Sequence, residues 1–204
     1  MPDEDTPYST ENIEALKMKL GVTFENDELL RTAISTRAAR NEHPDIIKED
    51  NERLEFLGDS VLKFLLSENL YKSKPKPEGV MTIMRTEIEN NETLALIAKE
   101  LDLKPHLFLG EAEKKSSGKR ERAVLANALE AIIGAIYLDT ESLVDSRRFL
   151  EKKILHELLQ ILLTEDVRNP ITPLQEISQK RYGLLPKYEC RQISGTPNEP
   201  IYLA

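Results

Sequence analysis

The sequence predicts an all-α fold, and three observations carry that expectation. Aromatic residues make up 5% of the 204 positions, Trp is absent and Gly occurs eight times, which is poor material for a sheet sandwich. Apolar residues recur at three- and four-residue spacing along most of the chain, the signature of helices with one buried face. Between those stretches lie short polar segments rich in Pro and Gly, where helices stop. With 40% hydrophobic residues, the chain has enough apolar material for a sizeable core.

The formal net charge of −8 argues against a simple nucleic-acid-binding module, which ordinarily presents a basic surface. The single cysteine, Cys190, excludes an internal disulfide framework and suits a reducing compartment. Met1 to Asp5 is acidic and polar, unlike a signal peptide, and no uninterrupted apolar run reaches the roughly 18 residues of a membrane span. A soluble, cytoplasmic protein with no membrane partner is expected.

In chain order, a first helix is expected over 10–20, with Ile13, Leu16 and Leu20 inward and Gly21 as its stop. Asn26 is placed to cap a second helix, which has Asp27 and Glu28 in its first turn. Residues 40–50, with His43-Pro44, read as loop. A helix follows over 51–71, then a loop stiffened by Pro75 and Pro77, then helices over 81–89 and 92–102. His106 has no partner at metal-ligand spacing and reads as a surface or capping residue. Residues 110–122 read as a charged loop whose Lys114, Lys115, Lys119, Arg120 and Arg122 suit a phosphate contact. A buried helix over 121–138 and a long helix over 141–164 complete the helical part, and residues 166–170 form a polar linker. Past the linker, Thr172 and Pro173 open another helix.

Two stretches carry the chemistry. On the helix over 51–71, Leu54, Leu57, Val61 and Leu65 form an apolar stripe, while Glu52, Glu55 and Asp59 form a second stripe at i, i+3, i+7. Stacked like charges destabilise a helix unless a cation offsets them. Gly58 costs about 1 kcal/mol against Ala in a helix interior, so it marks the close approach of another helix. On spacing alone such an acid stripe is most often a solvated face. In the helix over 121–138, Asn127 and Glu130 are the strongly polar residues between Ala123 and Leu138, and they share a face. A carboxylate in such a helix must be paired, protonated or bound to metal.

The literal strings go further. NERLEFLGDS, from Asn51 to Ser60, resembles the signature of the ribonuclease III family. LGVTFENDELLRTAIS resembles the opening of that family's catalytic domain, although Ser35-Thr36-Arg37-Ala38 stands where the family has Thr-His-Arg-Ser. Glu78-Gly79 followed by Met81-Thr82 and Arg85 resembles a third motif. LANALEAIIGAIYLD resembles a fourth, with Asn127 where the family more often has Asp. ITPLQEISQKRYGLLPKYEC resembles the start of a double-stranded-RNA-binding domain.

The resemblance implies a helical endonuclease domain over 8–165, the linker 166–170, and the N-terminal part of an α+β double-stranded-RNA-binding domain, its first helix and strand, over 171–204. It implies hydrolysis of double-stranded RNA to staggered products in rRNA and mRNA processing. The implied cofactor is Mg²⁺, with Mn²⁺ as a substitute, held by Glu55, Asp59, Asn127 and Glu130, of which Asp59 and Glu130 are catalytic. Glu52 and Glu78 are implied to be secondary acids near the cleavage site. Phe56 is implied to insert into a partner subunit of a homodimer, and Gln175 and Glu176 to touch the RNA minor groove. The alternative is a non-cutting scaffold of the same fold that binds RNA or associates with the ribosome, favoured by Asn127 and the incomplete tail.

Overall fold

The computed structural model describes residues 9–73 and 75–156, together with the backbone of 191–196 and 199–203. The chain falls into two units, Met1–Ile161 and Leu162–Ala204. The described part of the first unit is helical apart from an isolated bridge between Ser35 and Phe108.

Helix α1 (Thr10–Leu20) starts where Ser9 accepts a hydrogen bond from Asn12 N, and ends at Gly21, whose φ of 67° is left-handed. Helix α2 (Asp27–Ala33) is capped by Asn26. Helix α3 (Arg37–Glu42) occupies part of what reads as loop in the sequence. It is six residues long and has no apolar period, so the cap that Thr36 provides to Ala39 N at 3.2 Å is what sets it. The replaced Ser35-Thr36 pair thereby makes its own local bonds, and Thr36 also donates to Glu113 Oε2 at 2.5 Å.

Two long helices form the centre. Helix α4 (Glu52–Lys72) buries Leu54, Val61, Leu62, Leu65 and Leu66. Helix α8 (Gly118–Thr140) is buried from Leu125 to Ile136 on nearly every side. By length and composition α8 would suffice to cross a membrane, a property hidden from a search for uninterrupted apolar runs by Asn127 and Glu130. Here its sides are covered by α2, α4, α6 (Asn91–Glu100) and α9 (Leu143–Phe149). Helix α8 also starts earlier than its apolar run, because Lys119, Arg120, Glu121 and Arg122 are good helix formers despite their charge. Much of the expected basic loop is therefore helical, with the short α7 (Glu111–Lys114) just before it.

Helices α4 and α8 touch backbone to backbone. A Cβ on Gly58 would lie 1.8 Å from the Glu130 carbonyl oxygen, and one on Gly134 would lie 2.3 Å from the Leu54 carbonyl oxygen. Gly58 is thus the close-approach position its sequence context suggests. Opposite the crossing, Asp139 near the end of α8 accepts from Glu25 N and Asn26 N at 2.9 Å, which fixes the start of α2.

Helix α5 (Glu78–Glu89) lies against α4 and buries no residue fully. A 3₁₀ turn, Lys104–His106, follows α6. Of the surface or capping position expected for His106, the surface one does not hold, since the residue is buried at the end of this turn. Its Nδ1 lies 2.6 Å from Asn12 Oδ1, so the ring joins α1 to the turn, and burial holds its pKa below the usual value. After α9 the chain continues as a π-helical turn, Leu150–Ile154, so the long helix expected over 141–164 is irregular where it is described.

In the second unit, β1 (Arg191–Thr196) pairs antiparallel with β2 (Glu199–Leu203), with a register irregularity between Gln192 and Ser194. The linker 166–170, the expected helix after Thr172, and Gln175 and Glu176 lie outside the described residues.

Candidate active site

The α4–α8 crossing sets the site. With no side chains between the helices at Gly58 and Gly134, residues one turn away project side by side from the same end of the contact. Glu55 and Asp59 flank Gly58 on α4, and Asn127 and Glu130 lie one to two turns before Gly134 on α8. All four line one cleft of about 600 Å³. Glu52 and Phe56 stand on its α4 side, and Lys63 and Glu89 close it at the far end.

The charges are held unequally. Arg37 Nη1 lies 3.1 Å from Glu52 Oε1, and Lys63 Nζ lies 2.7 Å from Asp59 Oδ2. These are the cations that the acid stripe on α4 requires. Among the described residues Glu55 has no such partner. Its pKa is raised by burial and then by the Glu52 and Asp59 charges, against a hydrogen bond from Asn127 that lowers it. Glu130 is more constrained. It is 7% exposed, and among the described residues no hydrogen bond or ion pair reaches its carboxylate. Burial, followed by the charges of Asp59 and Glu55, pushes its pKa up to about 7, with Lys63 acting in the opposite direction.

This donor set fits a hard divalent cation. It offers carboxylate oxygens and an amide carbonyl from two rigid helices, and it includes a buried acid that lacks a cationic hydrogen-bond partner. Among the described residues no three acids are already drawn into a closed ligand cluster. Like charges without an ion to share stay apart.

Glu78 is not part of this cleft. It begins α5 beside the far end of α4, in a separate hollow lined by Ser67, Tyr71, Thr82 and Arg85, and it accepts from Thr82 Oγ1 at 2.9 Å. Along α4, Ser67 lies about 18 Å beyond Glu55, because each helical residue rises about 1.5 Å. The acid that α5 brings to the cleft of the same chain is Glu89, at its opposite end. Sequence reasoning missed Glu89 and Lys63. Lys63 was legible, as a lysine four residues after Asp59, whereas Glu89 reaches the site through the packing of α5 on α4.

Phe56 is 79% exposed and stands between the acidic cleft and a second hollow of about 630 Å³. That hollow is lined by Leu29, Leu54, Leu57 and Leu138, with Arg53 and Asp50 at its edge.

Comparison with known proteins places this geometry. Residues 26–158 match the family model described as ribonuclease-III-like. The chain is 40% identical over 197 residues to Ribonuclease 3 of Nitrosococcus oceani, covering 95% of this chain and 81% of that one. It is 42% identical over 182 residues to Ribonuclease 3 of Vibrio cholerae, covering 88% of this chain and 77% of the relative. Among solved structures, the nuclease domain of ribonuclease III from Campylobacter jejuni superposes with a TM-score of 0.64 at 32% identity, over 72% of this chain and 99% of that domain. That structure was described for flexibility in a region involved in dimer formation.

Proposed function

The chain belongs to the ribonuclease III family, and from that premise we propose that this endoribonuclease cuts double-stranded RNA to staggered products with Mg²⁺ in the α4–α8 cleft. The observation that carries the reading is the convergence of Glu55, Asp59, Asn127 and Glu130 from two crossing helices on one cleft, with Glu130 buried and without a cation. Asp59 and Glu130 are the proposed principal ligands. Glu55 and the Asn127 carbonyl oxygen complete the protein's share of the shell, and Mn²⁺ can replace Mg²⁺ there. The bound ion supplies the lowered pKa of water and the charge compensation that phosphodiester hydrolysis needs.

The residues' own work follows from their positions. At neutral pH Glu130 is poised to hold or release a proton, so its carboxylate would be free to hold a divalent cation at little protonic cost. Asn127 donates its amide hydrogen to Glu55, which orients both side chains and leaves the amide oxygen as the ligand atom. Arg37 keeps the Glu52 charge turned to the rim, where it serves as a secondary acid. Glu78 lines a separate hollow, which supports a part for it near the cleavage site of a second copy and not beside Glu52 of its own chain.

A second copy is also what the exposed Phe56 suits. In the proposed homodimer, Phe56 of each chain fills the apolar hollow beside the other's Phe56, a two-fold arrangement in which one patch serves as both knob and socket. Burying such a ring contributes about 2–3 kcal/mol per side, so Phe56→Ala is expected to raise the dimer dissociation constant strongly while leaving the monomer's helix content unchanged. Sedimentation of parent and variant as equally stable dimers would remove Phe56 from the interface.

We further propose a catalytic domain over 8–165, a linker over 166–170 and the N-terminal part of a double-stranded-RNA-binding domain over 171–204, with rRNA and mRNA processing in the cytoplasm as the setting. The non-cutting scaffold reading is not favoured by relatives that are themselves ribonucleases. The deciding experiment is incubation of the purified chain with long duplex RNA, with and without Mg²⁺. Staggered short duplexes in the Mg²⁺ sample alone are the expected result. Intact RNA at every Mg²⁺ concentration would restore the scaffold reading.

A further inference from the structure

We infer that Glu89, from α5, is a further acid of the metal shell in the α4–α8 cleft, and that it makes up in this chain for the neutral Asn127. The inference rests on the metal-dependent reading above. Glu89 is the last residue of α5, at the point where the chain turns into α6. That turn is held firmly. On one side of Glu89, Ile88 packs against the core. On the other, Asn90 accepts from Thr93 N at 2.8 Å and donates to the Glu87 carbonyl oxygen at 2.8 Å. Thr93 Oγ1 donates to the same carbonyl oxygen at 2.7 Å. Glu89 and Asn91, the residues that flank Asn90, both line the cleft.

The fold itself does not favour an acid at this place. A carboxylate at the C-terminal end of a helix meets the negative pole of the helix dipole. The Glu89 side chain is 16% exposed, and its Oε2 is shielded from solvent without a hydrogen bond among the described residues. Arg85, one turn earlier on α5, stands with Nε 3.6 Å away and donates its Nη1 to Ser67 Oγ at 2.9 Å. Within the cleft Glu89 adds a like charge. After burial and the charges of Asp59 and Glu55, it helps to push the Glu130 pKa up. An acid fixed against its own helix dipole and close to other acids is stabilised by a cation held among them. The neutral amide of Asn127 leaves one of the cleft's ligand positions without a charge. Affinity for a hard divalent ion rises with the number of charged oxygen ligands, so a carboxylate from a third helix restores what the amide lacks.

The test reads metal binding directly. Purified metal-free chain is titrated with Mn²⁺, and unbound Mn²⁺ is followed by electron paramagnetic resonance. The proteins are the parent, Glu89→Gln, Arg85→Met, Asn127→Asp and the Asn127→Asp, Glu89→Gln double variant. Glutamine keeps the shape of Glu89 and removes a charge from the end of α5, so Glu89→Gln should melt no lower than the parent in chelator. It should raise the Mn²⁺ dissociation constant about tenfold. Arg85→Met breaks the same ion pair from its other side and should not weaken Mn²⁺ binding. In the Asn127→Asp background the loss caused by Glu89→Gln should be clearly smaller, because the two positions supply the same charge. Parent-like Mn²⁺ affinity in Glu89→Gln overturns the inference. So does a loss in Arg85→Met that equals the loss in Glu89→Gln, which would make Glu89 a structural partner of Arg85. An equal loss in both backgrounds overturns the exchange with Asn127. All three outcomes leave the metal site itself standing, whereas a parent that binds no Mn²⁺ overturns the inference and the metal reading together.

Discussion

Helix α4 carries its acids where cations can reach them. Glu52 meets Arg37, Asp59 meets Lys63, and Glu68 further along meets both Lys72 and Arg147. Helix α8 holds one acid in its middle, Glu130, with apolar neighbours along most of the helix and, among the described residues, no cation in contact. The same functional cleft is thus built from a helix most of whose charges are compensated within the protein, Glu55 excepted, and one whose buried charge is not. Surface pairs such as those of α4 contribute little individually, so most of that helix's acids cost the metal-free protein little. The free energy of the metal-free site is concentrated on Glu130, so the two helices should respond very differently to substitution, pH and metal.

The largest expected effect is on α8. Glu130→Gln keeps the shape and removes the charge, so duplex cleavage should fall by orders of magnitude while duplex binding stays within a few-fold of the parent. Cleavage assays and filter binding on the same preparation check this. A glutamine variant that cuts like the parent would show that Glu130 is a buried structural acid and not a ligand.

The next effect concerns the contact that makes the two helices a pair. Gly58→Ala places a methyl group inside van der Waals distance of the α8 backbone, where no flexible side chain can yield. The helices must separate, and overpacking of this kind costs about 3 kcal/mol or more. Urea denaturation measures it. A loss below about 1 kcal/mol would mean that the crossing is looser than the structure shows.

The pH response should separate the helices as well. A carboxyl group whose folded pKa lies above its unfolded value binds its proton more tightly when folded. Its charging therefore costs stability as pH rises between the two values, and that cost is absent below the lower one. For Glu130 the window runs from 4.5 to about 7, and Glu55, raised in the same direction, adds to it. The metal-free protein should lose about 3 kcal/mol of stability across that window on account of Glu130. Glu130→Gln should be correspondingly more stable at pH 8, and saturating Mg²⁺ should reverse most of the loss in the parent. Chemical denaturation at a series of pH values with chelator tests this. A flat profile in the parent would show that Glu130 is solvated or paired after all.

Much of this was legible in the chain, and what was not has identifiable causes. The helices with an apolar stripe, α1, α2, α4 and α6, stand close to where their spacing puts them, and Asn26 caps α2 as expected. Gly58 announced the crossing, and Asn127 and Glu130 announced themselves as polar residues in an apolar helix. Helix α3 was hidden because a cap and six mostly polar residues carry no period. The first turns of α8 were hidden because charged residues read as loop although their side chains favour helix. His106 was misplaced because a short turn shows no periodicity, and its burial depends on Asn12, 94 positions away. Glu78 and Glu89 illustrate the same limit within the site. Both lie on α5, and only the angle at which α5 meets α4 decides which of them faces the cleft.

The smallest effect, and the one that sharpens the contrast most, is at Asn127. Its amide donates to Glu55, so in the metal-free protein it works on the side of stability by lowering the Glu55 pKa. Asn127→Asp removes that donor and sets a carboxylate beside Glu55 and one turn from Glu130, adding a like charge where two acids are already pushed upward. The metal-free variant should be less stable than the parent at pH 8, by about 1–2 kcal/mol, and the difference should shrink as pH falls and the acids protonate. With metal the sign reverses. A charged oxygen replaces a neutral ligand, so the variant should bind Mg²⁺ more tightly and reach half-maximal cleavage at a several-fold lower Mg²⁺ concentration. Melting temperature against pH with chelator, and cleavage rate against Mg²⁺, measure the two halves independently. A variant that is stabilised without metal would show that Asn127 does not hold Glu55. One with an unchanged Mg²⁺ requirement would show that position 127 lies outside the ligand shell, leaving Glu55, Asp59 and Glu130 to hold the ion.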